Sequence, residues 1–152
     1  MPVKAIPDNY HSVIPYLIVN DGAKAIAFYK LALSAIETMR LTDPTGKISH
    51  AEFKVNNSPI MIADEHADMG FKSPQSLGGS AVSLMIYVED VDIKFAQAIG
   101  AGATVMRPVE NQFYGDRTGT FVDPYGHIWT LATHIEDVTQ AEIDKRFAAY
   151  FA

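Results

Sequence analysis

The sequence predicts an α+β fold made of two consecutive copies of one βαβββ module. A length of 152 residues with 48% hydrophobic side chains suits one compact core. Strand and helix patterns follow one another in the same order in both halves, and a segment without periodicity separates the halves. We expect one domain, residues 1–152, divided at about 11–64 (first module), 65–81 (linker), 82–134 (second module) and 139–151 (C-terminal helix).

The first half begins with an apolar run over 13–19 that predicts a strand. Asp21 then opens a helical pattern, in which apolar residues recur at helical spacing over 25–33. The turn sequences Asp-Pro-Thr-Gly at 43–46 and Asn-Asn at 56–57 predict two hairpins. The three strands that these turns join are predicted over 36–41, 49–55 and 60–63.

The second half repeats this order. A strand is predicted over 82–88, a helix begins after Asp90 and ends at 100–102, and a short strand follows at 104–106. Two further strands are predicted over 118–122 and 128–133. At an offset of about 69 residues, with a one-residue slip in the later strands, the halves align at four positions. The aligned pairs are Val19 with Val88, Asp21 with Asp90, Phe53 with Phe121 and Ile60 with Ile128.

An amphipathic helix is predicted after the repeat. Thr139 and Glu142 form a capping-box pattern at its start, and Ile143, Phe147 and Tyr150 share one of its faces. We expect this face to be a packing surface. It would also suit a dimeric scaffold without catalysis, which is one of the functions that the sequence leaves open.

Composition excludes several classes of protein. The net charge is −6 and the twelve basic residues are scattered, so nucleic acid is not an expected partner. The absence of cysteine excludes disulfides, thiolate nucleophiles and cysteine zinc sites. The first residues lack an apolar signal pattern and no apolar run is long enough to span a bilayer, so we expect a cytoplasmic protein with no membrane partner.

Five motifs occur along the chain in a characteristic order. They are Pro15-Tyr16-Leu17 with Ala25-Ile26-Ala27-Phe28-Tyr29-Lys30, Pro59-Ile60-Met61-Ile62-Ala63-Asp64-Glu65, Tyr87-Val88-Glu89-Asp90-Val91-Asp92, Phe113-Tyr114-Gly115-Asp116-Arg117, and Asp123-Pro124-Tyr125-Gly126-His127. In this order they resemble the glyoxalase, bleomycin-resistance and extradiol dioxygenase superfamily, also called vicinal oxygen chelate proteins, and most closely its PhnB-like branch. The resemblance covers nearly the whole chain. It implies an open, cup-shaped, eight-stranded mixed sheet, a small-molecule ligand in the cup, and a homodimer.

The resemblance also implies where a metal would bind. In glyoxalase I-like members, four His or Glu side chains on the first and last strands of the modules hold an octahedral metal that acts as a Lewis acid. The corresponding positions here are Ile14, Ile62, Ser83 and Thr130. Because none of them is such a ligand, no metal cofactor is expected. The pocket is instead expected to be lined by apolar and hydroxyl-bearing side chains. Tyr16 and Met85 share its faces, and Met85 is the only one of Met61, Met69 and Met85 expected to face the cup.

His50 and Glu52 offer a different kind of site. They are two residues apart in one predicted strand, so both side chains project from the face opposite Ala51 and Phe53. If that face is the cup, they form an acid–base pair, or a metal site together with Asp64. If that face is solvent, they are structural. The sequence leaves both interpretations open.

The loop 113–117 is the best candidate for a ligand contact outside the strands. Phe113 and Tyr114 supply aromatic surface, and Arg117 supplies charge for an anionic ligand. The alternative is that Asp116 and Arg117 pair with each other or with a neighbouring subunit. Trp129, by strand parity, is expected in the core.

Together these patterns predict a small-molecule-binding protein without the superfamily's metal centre. The alternative is a lyase or isomerase of the glyoxalase type, in which His50 and Glu52 are catalytic and Asp64 assists them. The residues expected to contact the ligand are Ile14, Tyr16, Ile62, Ser83, Met85, Phe113, Tyr114, Arg117 and Thr130.

Overall fold

The computed structural model describes residues 2–152. The first module contains β1 (Tyr16–Val19), α1 (Gly22–Leu33), β2 (Ile36–Thr42), β3 (Ile48–Val55) and β4 (Ser58–Asp64). The connection that follows contains a 3₁₀ turn (Ala67–Met69) and the short helix α2 (Pro74–Leu77). The second module contains β5 (Ser83–Tyr87), α3 (Val91–Ala101), β6 (Thr104–Asn111), β7 (Asp116–Val122) and β8 (Ile128–His134). After it come α4 (Gln140–Ala148) and a 3₁₀ turn (Ala149–Phe151).

The eight strands form two four-stranded mixed sheets with the same topology. Their strand orders are β1-β4-β3-β2 and β5-β8-β7-β6. In each sheet the first and last strands of the module are parallel and the other neighbours are antiparallel. The predicted fold class, two βαβββ modules followed by a C-terminal helix, is therefore confirmed. Among the helices of residues 2–152, none has the length and hydropathy that a membrane span requires.

Equivalent hydrogen bonds attach each module's helix to its last strand. The Asp64 carboxylate accepts from the backbone N–H of Gly22 at 2.9 Å, and Thr133 Oγ1 accepts from the backbone N–H of Val91 at 2.9 Å. The two acceptors are 69 positions apart and so are the two donors. The aspartates predicted to cap the two helices also accept hydrogen bonds from the first helical turns. The repeat therefore extends from element order to individual hydrogen bonds.

One hydrophobic core joins the two modules. α1 packs against α3, and the buried side chains of both sheets belong to the same cluster. Tyr29 of α1 stacks on Phe53 with 5.2 Å between ring centroids, and its ring lies 5.5 Å from that of Trp129. The Tyr29 hydroxyl and Trp129 Nε1 both donate to Asp123 Oδ2, at 2.5 and 2.8 Å. Trp129 therefore lies in the core, as its strand parity predicts.

Three strands differ in length from the sequence prediction by three residues or more, and β4 (Ser58–Asp64), predicted over 60–63, is one of them. β1 begins at Tyr16 and not at residue 13, since the preceding Pro15 has no N–H to add to the ladder. β6 continues to Asn111, whereas the sequence indicates an end at 106. Pro108 argues against a longer strand, but β6 is an edge strand whose register shifts around this proline, so the missing N–H removes no ladder bond.

The register of the last strands corrects the alignment of the two halves. Phe53 lies opposite Ile60, whereas its equivalent Phe121 lies opposite Trp129. The second hairpin is therefore one residue longer, and Ile60 corresponds to Trp129 and not to Ile128. A one-residue error of this kind reverses the face to which every side chain of a strand is assigned.

Candidate ligand-binding site

Each sheet has one face that packs on α1 or α3 and one face turned away from them, which we call its open face. On the first sheet, Tyr16 and Glu52 both lie opposite Met61 in the ladders, so all three share the open face. Ile62 lies opposite Ala51 and is fully buried on the helix-covered face. Met61 therefore occupies the open-face position that the sequence assigns to Ile62, and Ile62 is not available to a ligand.

The open face of the second sheet carries a cavity of about 670 Å³, which we call the second-sheet cavity. Its strand residues present four hydroxyl groups, those of Ser83, Thr118, Thr120 and Thr130. Thr120 Oγ1 and Thr130 Oγ1 share a hydrogen bond of 2.8 Å, and Gln112 Nε2 donates to Thr118 Oγ1 at 3.1 Å. Met85 and Met106 add apolar surface. The cavity thus offers oriented polar groups on a hydrophobic background.

Aromatic residues form one rim of the second-sheet cavity. Phe113 and Tyr114, in the turn before β7, line it and contact each other edge to face at 5.3 Å. Phe113 also contacts Phe147 at 5.7 Å and Tyr150 at 5.5 Å between ring centroids. The predicted packing face of the C-terminal helix therefore lies against the rim loop.

Polar contacts fix this rim. Arg146 of α4 donates to the carbonyl of Phe113 at 2.9 Å and forms ion pairs with Glu136 and Glu142. These carboxylates raise the pKa of Arg146. Gly115 has a φ of +104°, and a Cβ there would lie 2.2 Å from the carbonyl oxygen of Glu136, so only glycine fits.

Arg117 lies away from the second-sheet cavity. Successive residues of a strand point to opposite faces, so Asp116 and Arg117 diverge and do not pair with each other. Arg117 instead forms a bidentate ion pair with Asp92 of α3, with Nε–Oδ2 and Nη2–Oδ1 distances of 2.9 Å each. This pair lowers the pKa of Asp92. Of the charged and aromatic residues predicted in this loop, only Phe113 and Tyr114 line the cavity.

Four side chains form a hydrogen-bonded chain at the open face of the first sheet, the first-sheet network. The Tyr16 hydroxyl lies 2.7 Å from His50 Nδ1, and His50 Nε2 lies 3.0 Å from Glu52 Oε1. The Tyr10 hydroxyl donates to Glu52 Oε2. The hydrogen bonds from Tyr10 and His50 hold the pKa of Glu52 below its ordinary value, although burial acts in the opposite direction. Tyr16 also lines a cavity of about 520 Å³.

Asp64 does not belong to the first-sheet network. Its carboxylate accepts from the backbone N–H groups of Gly22 and Ile48, at 2.9 and 2.6 Å, on the helix-covered side of the sheet. His50, Glu52 and Asp64 therefore do not converge on one point, contrary to the alternative that the sequence leaves open. In the part of the chain that the structure describes, no three His, Cys, Asp or Glu side chains are grouped closely enough to hold a metal ion.

A second network, which the sequence does not indicate, lies at the end of the second sheet. Asp116 Oδ2 accepts from the Tyr87 hydroxyl at 2.7 Å, and Asp116 Oδ1 lies 2.8 Å from His134 Nδ1. His134 Nε2 lies 2.7 Å from Asp137 Oδ1. Asp137 and Asp116 raise the pKa of His134, because both favour the imidazolium. Three different strands and a loop supply these residues, so no local motif marks them.

Comparison with known proteins identifies the family. Residues 10–131 match the Glyoxalase/Bleomycin resistance protein/Dioxygenase superfamily. The chain belongs to this superfamily. An uncharacterized protein of Mycobacterium bovis is 44% identical to it over 132 residues, which are 85% of this chain and 87% of that protein.

Solved structures of the superfamily share the fold. A PhnB protein from Bacillus cereus is 21% identical with a TM-score of 0.63, covering 81% of this chain and 99% of that one. The fosfomycin resistance protein FosX from Listeria monocytogenes, in complex with Mn(II), is 20% identical with a TM-score of 0.62, covering 90% and 97%. At these identities the likeness concerns the fold alone.

The metal site that the superfamily implies does not fit the residues of this chain. With the corrected register, the equivalent open-face positions are Ile14, Met61, Ser83 and Thr130, which pair at an offset of 69. A hydrocarbon, a thioether and two hydroxyls do not replace the imidazole and carboxylate donors of such a site. Ile14 precedes β1 and is partly buried, and it does not line the second-sheet cavity.

Proposed function

We propose that this chain is a PhnB-like member of the bleomycin-resistance type, which binds a small organic molecule in the second-sheet cavity without the superfamily's metal centre. The cavity is the observation that carries the proposal. Its volume of about 670 Å³ suits a small organic ligand, since ligand pockets span roughly 300–1,000 Å³. Five of the nine residues expected from the sequence to contact the ligand line it, namely Ser83, Met85, Phe113, Tyr114 and Thr130.

The lining suggests how the ligand is held. Met85, Phe113 and Tyr114 provide shape and apolar contact, while the Thr120–Thr130 hydroxyl pair can rotate its protons to donate to or accept from the ligand. The fold neighbour FosX, named as a fosfomycin resistance protein, is consistent with a role centred on a small molecule.

The proposal includes a homodimer. Tyr16, Met85 and Tyr87 lie on the two open faces and are 48, 49 and 57% exposed, so a partner subunit could cover these large side chains. A second copy that covers these faces would exclude water from the bound ligand. Light scattering on the purified chain should give twice the monomer mass, and a monomer at micromolar concentration would contradict this part of the proposal.

Filling the cavity tests the binding function. Ser83 lines the cavity at the start of β5 and makes no side-chain hydrogen bond within residues 2–152, so Ser83→Phe should reduce the volume without breaking a contact. Ligand-observed NMR with benzyl alcohol, benzamide, benzoate and phenylphosphonate should show binding to the wild type that Ser83→Phe abolishes. Thr42→Phe, at an exposed strand position of the first sheet, is the matched control and should bind as the wild type does. Binding that survives Ser83→Phe would refute the proposed site.

The first-sheet network supports a second candidate, proton transfer of the lyase or isomerase type. The lowered pKa of Glu52 favours its carboxylate form, and the His50 tautomer with its hydrogen on Nε2 would donate to this carboxylate and accept the Tyr16 proton at Nδ1. Tyr16 is the member of the network that lines the 520 Å³ cavity. Its oxygen would take a proton from a carbon acid as its own proton passes to His50, and Glu52 would stabilise the imidazolium formed.

Hydrogen exchange tests this second candidate separately. The wild type should accelerate exchange of the α-hydrogens of hydroxyacetone in D₂O, and Tyr16→Phe and His50→Gln should both remove the acceleration. Tyr114→Phe, in the turn before β7 of the second module, is the control. Equal exchange rates in the wild type and Tyr16→Phe would eliminate proton transfer by this network.

A further inference from the structure

The second-sheet cavity is lined by one charged residue, Arg107 of β6. None of the other residues that line it carries a carboxylate or an ammonium group. The chain carries 18 acidic and 12 basic residues, but no acidic side chain lines this cavity. The cavity is therefore a locally positive site in a protein of net charge −6.

Among the residues that the structure describes, Arg107 has no partner, whereas the other three arginines each form an ion pair. Arg40 pairs with Glu37 at 2.6 Å, Arg117 with Asp92 at 2.9 Å, and Arg146 with Glu136 at 2.8 Å. Within residues 2–152 the side chain of Arg107 forms no ion pair and no hydrogen bond, so all five of its N–H donors remain available. A guanidinium presents these donors in a planar fork that matches a carboxylate or a phosphonate.

The backbone directs Arg107 toward the cavity hydroxyls. Arg107 lies opposite Thr120 in the β6–β7 ladder, and the register shifts both before and after it. Such irregularities re-aim a side chain at the edge of a sheet. Thr120 in turn shares its hydrogen bond with Thr130 on the next strand, so the guanidinium and two hydroxyls belong to the lining of one cavity.

We propose that Arg107 is the anion subsite of the second-sheet cavity. The ligand class is then a small molecule with one carboxylate or phosphonate, held by Arg107 and the threonine hydroxyls, and an apolar or aromatic body against Met85, Phe113 and Tyr114. This inference rests on the proposed function, because it assumes that the cavity binds a ligand. The sequence suggests Arg117 as the residue that contacts an anionic ligand. The proposal assigns this contact to Arg107 instead, although no motif around Arg107 indicates such a role.

Probes of similar size, two of them anionic and two neutral, test the subsite. Benzoate and phenylphosphonate are anionic, whereas benzamide and benzyl alcohol are neutral. The wild type should bind the anions about tenfold more tightly than the neutral probes, as one charge-assisted contact predicts. Arg107→Gln should remove this preference and leave the melting temperature unchanged. Arg107→Lys should retain part of the preference, because the charge remains and the fork is lost.

Arg40→Gln is the control variant, since it removes the same charge from an edge strand of the first sheet and should preserve the preference for anions. An equal preference in Arg107→Gln and the wild type would overturn the inference. If the neutral probes bind and Ser83→Phe blocks them, but the wild type shows no preference for anions, the anion subsite is wrong and the binding function stands. If none of the four probes binds, the anion subsite and the proposed binding function both fail.

Discussion

Replacing Tyr29 with phenylalanine removes one hydroxyl from the centre of the core and leaves the ring packing in place. Tyr29 is 0% exposed, and its hydroxyl donates to Asp123 Oδ2 at 2.5 Å. Burial and the neighbouring Asp123 raise the pKa of Tyr29 well above its ordinary value, so the hydroxyl is protonated at neutral pH and donates its proton to the carboxylate. The bond connects α1 of the first module to the turn before β8 of the second.

The remaining partners of Asp123 set the magnitude. Its carboxylate also accepts from Trp129 Nε1 and from the backbone N–H groups of Tyr125 and His127, at 2.8, 2.8 and 3.0 Å. Loss of one hydrogen bond to a buried charged group costs about 1.5–3 kcal/mol, and with three donors left we expect about 2 kcal/mol. In a chain of this length that corresponds to a melting temperature lower by roughly 4–8 °C.

Urea denaturation, monitored by circular dichroism, measures the change in the free energy of unfolding. Tyr125→Phe is the matched control, because Tyr125 packs edge to face on Phe28 but its hydroxyl makes no hydrogen bond within residues 2–152. It should change the free energy of unfolding by less than about 0.5 kcal/mol. If Tyr29→Phe is as stable as Tyr125→Phe, the hydroxyl does not hold the modules together as described.

Three further predictions concern the cavity rim and the surface. Gly115→Ala should destabilise the chain by at least about 1 kcal/mol in urea denaturation, because of its positive φ and the contact with the Glu136 carbonyl; wild-type stability would contradict the described turn. The raised pKa of His134 means that its stabilising contribution is complete below the ordinary histidine pKa of about 6.5 and is lost as the pH rises through the raised value. His134→Gln should therefore flatten the wild-type decline in stability over this range, and an unchanged pH profile would contradict the second network. Arg117→Ala should change the midpoint of urea denaturation little, because its ion pair is exposed to solvent, and should leave probe binding unchanged; weaker binding would show that Arg117 contacts the ligand.

Local patterns sufficed to predict the elements of the fold. The positions of α1 and α3 follow from their capping aspartates and helical periodicity, and both lie within one or two residues of the sequence expectation. The period-two alternation of its strand is sufficient to predict that Trp129 lies in the core. In each case the signal is contained in a few consecutive residues, so no knowledge of distant contacts is needed.

The site was less predictable because it depends on hairpin length and on long-range pairing. The second hairpin is one residue longer than the first, so an alignment that ignores this residue assigns Ile62 to the open face in place of Met61. Because proline is unfavourable within a strand, Pro108 argues for an end of β6 before Arg107. The sequence therefore does not predict that Arg107 pairs with Thr120 in the ladder. The partners of Arg117 and His134 lie on other elements of the fold. The sequence therefore does not show whether an arginine is already paired with a carboxylate or is free to bind a ligand.

Chemical-shift mapping of a bound probe tests the central claim most directly. The chain, labelled with ¹⁵N and treated with EDTA, would be titrated with benzoate. We predict saturable shifts of the backbone amides of Ser83, Thr118, Thr120 and Thr130, around the second-sheet cavity and in the absence of any divalent metal. Shifts confined to the region of His50 and Glu52, or binding that appears only when a divalent metal is added, would contradict the account.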